Sequence, residues 1–151
     1  MKKINILVID PSPIIQIGFK TLFKGSSKFE LIECIDSIYD FNEFIKSSNI
    51  DIIITELKLV DGEANDILKS IRLMSKKIPV LVFTNKSQKL HAIDILKNGA
   101  IGYLSKNSKK RKIKETLEKI ALQNFNFIET NSFTRLKNNF NEDYNKIKID
   151  S

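Results

Sequence analysis

A chain of 151 residues, 42% hydrophobic and 28% charged, has room for one domain with a full core and no comfortable room for a second. Its apolar runs fall short of the roughly 20 residues that a membrane span needs, and the Met-Lys-Lys start leads into a strand pattern without a cleavage site. A soluble, cytoplasmic protein without a membrane partner is therefore expected, and the formal charge of +7 admits nucleic acid or anionic surfaces as partners without demonstrating them.

The charge is uneven. From Ser108 onward ten Lys or Arg stand against six acids, with Lys109, Lys110, Arg111 and Lys112 in one run. The run sits where a helix pattern begins, a position at which cations oppose the helix dipole, and a solvated helix end is the plain reading. A single cysteine, Cys34, can form no internal disulfide and falls in the apolar run FELIECI, which predicts a buried thiol in a reducing compartment. His91 is the lone histidine and has no Cys or acid at ligand spacing, so a surface residue is expected and a zinc site is not.

In chain order, residues 4–10 (INILVID) form an apolar run that ends in an acid and read as the first strand. Pro11, Ser12 and Pro13 make a turn, and Ile14, Ile15, Phe19, Leu22 and Phe23 follow at helical spacing up to Gly25. Residues 29–35 read as the second strand, and Asp36 or Ser37 caps a helix with Phe41, Phe44 and Ile45 facing the core. Residues 51–56 (DIIITE) hold four consecutive apolar or β-branched residues, the mark of a short strand buried on both faces, and Glu56 lies at its C-terminal end.

LKLVDG follows as a short loop. Residues 64–75 then carry Ile67, Leu68, Ile71 and Met74 as the buried stripe of an amphipathic helix. Pro79 opens a fourth strand over residues 78–84, which ends in Thr84. Leu90, Ala92, Ile93, Ile95 and Leu96 make the next helix, stopped by Asn98-Gly99, and residues 101–104 are a brief fifth strand leading to Ser105-Lys106. Residues 109–123 form the last helix, with Ile113, Leu117, Ile120 and Ala121 or Leu122 inward. Beyond Gln123 apolar residues thin out, and only residues 131–140 hint at a helix, through Phe133, Leu136 and Phe140.

Regular strand-helix alternation predicts an α/β domain with a doubly wound parallel sheet, helices on both faces and right-handed crossovers. In such sheets the carboxyl ends of the strands line the ligand crevice, so Asp10, Glu56, Thr84 and Lys106 are brought to one edge. This order of residues, with Pro79 opening strand four and Gly102-Tyr103 just before the lysine, resembles the CheY-like receiver domain of bacterial response regulators. The likeness covers about residues 2–123. Within receivers, VIDPSP followed by IIQIGFKTLF, and LKNGAIGYLSKN, are most similar to the NarL (LuxR-type) branch, whose members usually carry a helix-turn-helix after the receiver.

The resemblance implies a flavodoxin-like, five-stranded sheet of order 2-1-3-4-5. It divides the chain into a receiver at 1–123 and, at 124–151, a helical linker or tail leading to a DNA-binding domain that this chain does not contain. It also implies a site in which an acid pair after strand one holds Mg²⁺, an aspartate after strand three accepts a phosphoryl group, and a hydroxyl and a lysine follow after strands four and five. Metal and ammonium offset phosphoryl charge while the hydroxyl and an aromatic residue act as the switch. Thr84, Tyr103 and Lys106 match the last three roles by position.

The departures from that pattern carry more information than the matches. Pro11 occupies the second position of the acid pair and offers no side-chain oxygen, so Mg²⁺ binding is expected to be weak or lost and no metal site is assigned. Glu56 stands at the phosphoacceptor position, where its extra methylene fills space that a phosphoryl group would take. The loop after it is two residues short, with Leu59-Val60 in place of the usual Met-Pro, and Lys58 adds a cation beside the site. The expectation is a direct Glu56–Lys106 ion pair with Asp10 nearby, in an atypical, phosphorylation-independent receiver that acts as a dimerisation or interaction module.

A histidine kinase partner is then unlikely or vestigial, and DNA contact comes through the absent domain. The alternatives are a conventional phospho-switched receiver with unusual ligands and a nucleic-acid-binding fragment using the basic run. The second lacks a recognition-helix pattern and interleaved basic and aromatic residues. No P-loop, nucleophile elbow or nucleotide glycine fingerprint is present, so no enzyme is expected.

Overall fold

The computed structural model of the chain describes residues 2–85 and 89–125, without the side chains of 89–91 and 123–125. The elements run β1 (Ile4–Ile9), α1 (Pro13–Phe23), β2 (Phe29–Ile35), α2 (Ile38–Phe44), β3 (Ile52–Thr55), β4 (Lys58–Leu59) and β5 (Gly62–Glu63). They continue with α3 (Ala64–Leu73), β6 (Val80–Thr84), α4 (Lys89–Lys97), β7 (Gly102–Ser105) and α5 (Lys110–Phe125). Five of the strands pair in parallel in the order β2-β1-β3-β6-β7, the 2-1-3-4-5 arrangement of a CheY-like fold, and β4-β5 form a separate antiparallel hairpin.

Because side chains alternate across a strand, each central strand feeds two cores. Leu7, Ile9, Ile53 and Val82 pack against Phe41 and Ile45 of the α2 region, Ile67, Leu68 and Ile71 of α3, and Ile95 and Leu96 of α4. Ile6, Val8, Ile54, Leu81 and Phe83 pack on the other face against Phe19 and Phe23 of α1 and Ile113, Leu117 and Ile120 of α5. This is why the strands read as unbroken apolar runs instead of alternating ones. On α5 it is Ala121 that turns inward, while Leu122 faces solvent.

Local signals set the helix ends. Ser12 caps α1, its Oγ accepting from the Ile15 N–H at 3.4 Å, with Pro13 in the first turn. Ser37 caps α2 by accepting from the Asp40 N–H at 3.0 Å. Gly99 ends α4 with φ +114, a conformation closed to most L residues. β6 starts directly after Pro79, and β7 runs one residue later than the apolar pattern alone suggests, from Gly102 to Ser105.

Three expectations are corrected. LKLVDG is no plain loop: Lys58 pairs with Glu63 and Leu59 with Gly62 across a tight turn that carries Val60 and Asp61. The hairpin is tied down on both sides, since the Asp61 carboxylate accepts from the Ile38 and Tyr39 N–H groups of α2 (2.7 and 3.0 Å), and Asp66 accepts from the Glu63 N–H (2.9 Å). A Cβ at Gly62 would lie 2.6 Å from Asp66 Oδ2 and 3.1 Å from Ile38 Cγ1, so a larger residue there would displace the Asp66 carboxylate. Cys34 is half-buried and free, because β2 is an edge strand with β1 as its one neighbour, and burial pushes its thiol pKa up against the opposing effect of Lys20. Ile14, one helical step from the inward Ile15, is 78% exposed. The expectations for His91 and for residues 126–151 lie outside the described residues.

Phe41 is fully buried between α2 and the sheet, so Phe41→Ala is expected to cost about 3–5 kcal/mol of unfolding free energy, read from urea denaturation. The Ile38 N–H, before that of Tyr39, holds the Asp61 carboxyl below the usual aspartate range against a desolvation effect of opposite sign. The contribution of this anchor is therefore complete above the ordinary aspartate pKa and lost as pH falls through the lowered one. An NMR titration of the Ile38 and Tyr39 amides is expected to report that acidic step, and Asp61→Asn is expected to remove it.

Candidate functional site

The backbone ladder extends one residue past the strands and sets the site. The Asp10 N–H donates to Ile35 C=O at 2.8 Å, the Glu56 N–H to Ile9 C=O at 2.8 Å and the Lys106 N–H to Thr84 C=O at 3.1 Å. Three charged residues thereby share the C-terminal edge of β1, β3 and β7. Lys106 reaches across this edge, its Nζ 2.9 Å from Asp10 Oδ2 and in direct ion-pair contact with Glu56 Oε2. The Glu56–Lys106 pair expected from the sequence forms, and Asp10 joins it.

The cluster is shielded from water, with side-chain exposures of 12% for Lys106, 12% for Glu56 and 3% for Asp10. Desolvation pulls the Lys106 pKa down, but the hydrogen bonds and charges of Asp10 and Glu56 outweigh it, and the ammonium titrates above its ordinary range. The remaining oxygens are also engaged. Asp10 Oδ1 accepts from the Ser12 N–H at 2.8 Å, and Glu56 Oε1 accepts from the Leu57 N–H at 2.6 Å. Gln16 Nε2 donates to the Asp10 carbonyl at 2.7 Å, tying the first turn of α1 to the same edge.

The other residues singled out by the sequence fall around this cluster. Thr84 is buried at the last rung of β6, opposite Ser105 and so next to Lys106 in the ladder. Tyr103 is half-buried, pairs in register with Val82 and packs against the α2–α3–α4 core. Pro11 is exposed beside Asp10 and carries no donor or acceptor on its side chain. Lys58 does not join the cluster: it is exposed, and the hairpin turns its ammonium to Glu63 Oε2 at 3.1 Å. Ser12, Gln16 and the Leu57 amide belong to the site and were not singled out from sequence. The Asp-x-Ser-Pro order, which favours a carboxylate accepting from the amide two residues on, was the readable signal for Ser12.

Electrostatically the site is one cation between two anions, with every carboxylate oxygen of Asp10 and Glu56 holding an N–H or the ammonium. As a donor set for Mg²⁺ it fits poorly. The ion wants oxygen ligands in near-octahedral array, Pro11 supplies none, and among the described residues no group of three or more His, Cys, Asp or Glu side chains converges.

Comparison with known proteins agrees with this architecture. The chain is 23% identical over 139 residues to the Fimbriae Z protein of Escherichia coli K12, covering 92% of this chain and 66% of that protein. It is 26% identical over 119 residues to a nitrate/nitrite response regulator protein homolog of Haemophilus influenzae, covering 79% of this chain and 57% of that protein. The chain thus spans about two thirds or less of the length of these relatives. Among solved structures, the signal receiver domain of the response regulator NarL from Mycobacterium tuberculosis matches with a TM-score of 0.75 at 19% identity, over 80% of this chain and 98% of that one. A structure of RcsB dimers bound to DNA matches with a TM-score of 0.73 at 16% identity, over 91% of this chain and 69% of that one. The model of the response regulator receiver domain matches residues 6–118, and with its sheet order and strand-end cluster the chain belongs to that family.

Proposed function

We propose that this chain is an atypical receiver that works without phosphoryl transfer, as a constitutive dimerisation or interaction module of a cytoplasmic transcription regulator. The observation that carries the reading is the closed cluster: Lys106 already neutralises Asp10 and Glu56, and both carboxylates have their second oxygen on a backbone N–H. In this reading Glu56 occupies the phosphoacceptor position, and its carboxylate holds the ammonium that a phosphoryl group would otherwise recruit. The domain needs no Mg²⁺, because Pro11 replaces the second acid and the remaining carboxylates are engaged. It is not an enzyme, and a histidine kinase partner is vestigial.

The same reading gives the chain a homodimer through its last helices and DNA contact through a helix-turn-helix domain outside it. RcsB, a protein of the same fold, is seen as dimers on DNA, which supports this arrangement. Thr84, buried, and Tyr103, half-buried, then serve as packing residues instead of moving parts.

Two experiments test the proposal. After incubation with Mg²⁺ and acetyl phosphate, the native chain is expected to keep its intact mass and to be dimeric by light scattering without any donor, beside a Glu56→Asp version as comparator. A phosphorylated native chain, or a monomer that dimerises only with the donor, would replace this reading with a conventional switch. Lys106→Met leaves two buried carboxylates without their cation and is expected to cost about 3–5 kcal/mol by urea denaturation, with part regained in the Glu56→Gln/Lys106→Met double variant. Since the Lys106 pKa is raised, the stabilisation is complete below the ordinary lysine pKa and lost as pH rises through the raised one, so an alkaline limb present in the native chain is expected to flatten in Lys106→Met.

A further inference from the structure

On the sheet face away from α2, α3 and α4, an apolar groove of about 360 Å³ opens between α1 and α5, lined by Ile14, Gly18, Phe19, Leu22, Phe83 and Ile113 among others. Its α1 wall carries exposed hydrophobic surface at Ile14, 78% exposed, and Ile17, 61% exposed, lies beside the groove on the same helix. The floor is open at Gly18, where an added Cβ would meet nothing within 4 Å. Glycine inside an exposed helix costs about 0.5–1 kcal/mol against alanine, so Gly18 keeps the groove deep at the expense of α1. Lys110 stands on the rim, and a neighbouring cleft sharing Leu22 adds Lys114 and Lys24.

An occupant is available in the chain itself. The described part of α5 runs to Phe125, and 26 residues, 126–151, follow it. They place Phe133, Leu136, Phe140, Tyr144 and Ile147 at steps of three and four, the spacing of a single helical face. Ile113 lies about 18 Å back along α5 from Phe125 at 1.5 Å per residue. A return run beginning at residue 131, after a five-residue connection of ordinary length for antiparallel helices, covers that distance by residue 143. In this register Phe140 comes level with Thr116 and Glu142 with Lys114, an acid against the basic rim, while Lys146 comes level with Lys110. A second copy of α1 would instead bring Lys20, Lys24 and Lys110 against their own kind.

We propose that the α1–α5 groove is the seat of the chain's own segment 133–147, which packs its Phe133–Phe140–Ile147 face along the seam as a helix antiparallel to α5. This reading is independent of how the Lys106 cluster works.

Hydrogen–deuterium exchange of the full chain, followed by mass spectrometry at several protein concentrations, tests it. In the native chain the amides of 133–147 are expected to exchange at least about tenfold more slowly than in a free peptide of that sequence, equally at all concentrations. Gly18→Leu puts a side chain into the groove from a position where an added Cβ meets nothing within 4 Å, and it favours the helix, so it is expected to abolish that protection while α1 itself stays protected. Phe140→Ser is expected to do the same. Protection absent in the native chain, or unchanged in Gly18→Leu, overturns the proposal. Protection that grows with concentration also overturns it, in favour of a second copy as the occupant.

Discussion

Burial of β3 on both faces and along both edges is the constraint on which the rest depends. Its four residues have β1 on one side, β6 on the other, and helices above and below. A strand so enclosed has no room for a charged side chain until the ladder ends, and the first residue past that end is Glu56. Since the sheet is parallel, the same boundary falls at the same level in its neighbours, and Asp10, Thr84 and Lys106 arrive beside it. The site is a consequence of where burial stops.

At that boundary the electrostatic balance is narrow. Taking an ammonium and two carboxylates out of water is costly, and mutual attraction offsets the cost only when geometry is good and the remaining lone pairs are satisfied. Here they are: the Ser12 and Leu57 amides take the second oxygens, and Lys106 takes the first. A cluster of this kind is sensitive to removal of any one member. The raised Lys106 pKa expresses the same balance, attraction by two carboxylates exceeding desolvation.

The β4–β5 hairpin complements the cluster. It leaves β3 through Leu57, whose amide closes on Glu56, and is then pinned by Asp61 to the start of α2 and by Asp66 at the start of α3. A short connection clamped at both ends leaves little slack beside Glu56. The opposite sheet face has a different character. There α1 leaves isoleucines in solvent around an open Gly18, an unfilled apolar surface on an otherwise well-packed domain.

The sequence by itself determined the fold class, the five strands of the parallel sheet and the identity of the strand-end residues, because two-sided burial writes unbroken apolar runs and these end where polar residues begin. Glu56, Asp10 and Lys106 were legible for that reason, and so was their pairing, since they share one edge of the sheet and a long lysine side chain after β7 reaches past β6 to the carboxylates after β3 and β1. The roles of Lys58, Ser12, Gln16 and Asp61 were decided only by tertiary structure. Their partners are backbone amides, a backbone carbonyl or a cross-hairpin carboxylate, whose positions depend on loop geometry and leave no periodic trace in the sequence. The α1–α5 groove belongs to the same class: helical spacing marks Ile14 as apolar, but only the angle at which α1 seats on the sheet decides that Phe19 and Phe23 fill the core and Ile14 does not.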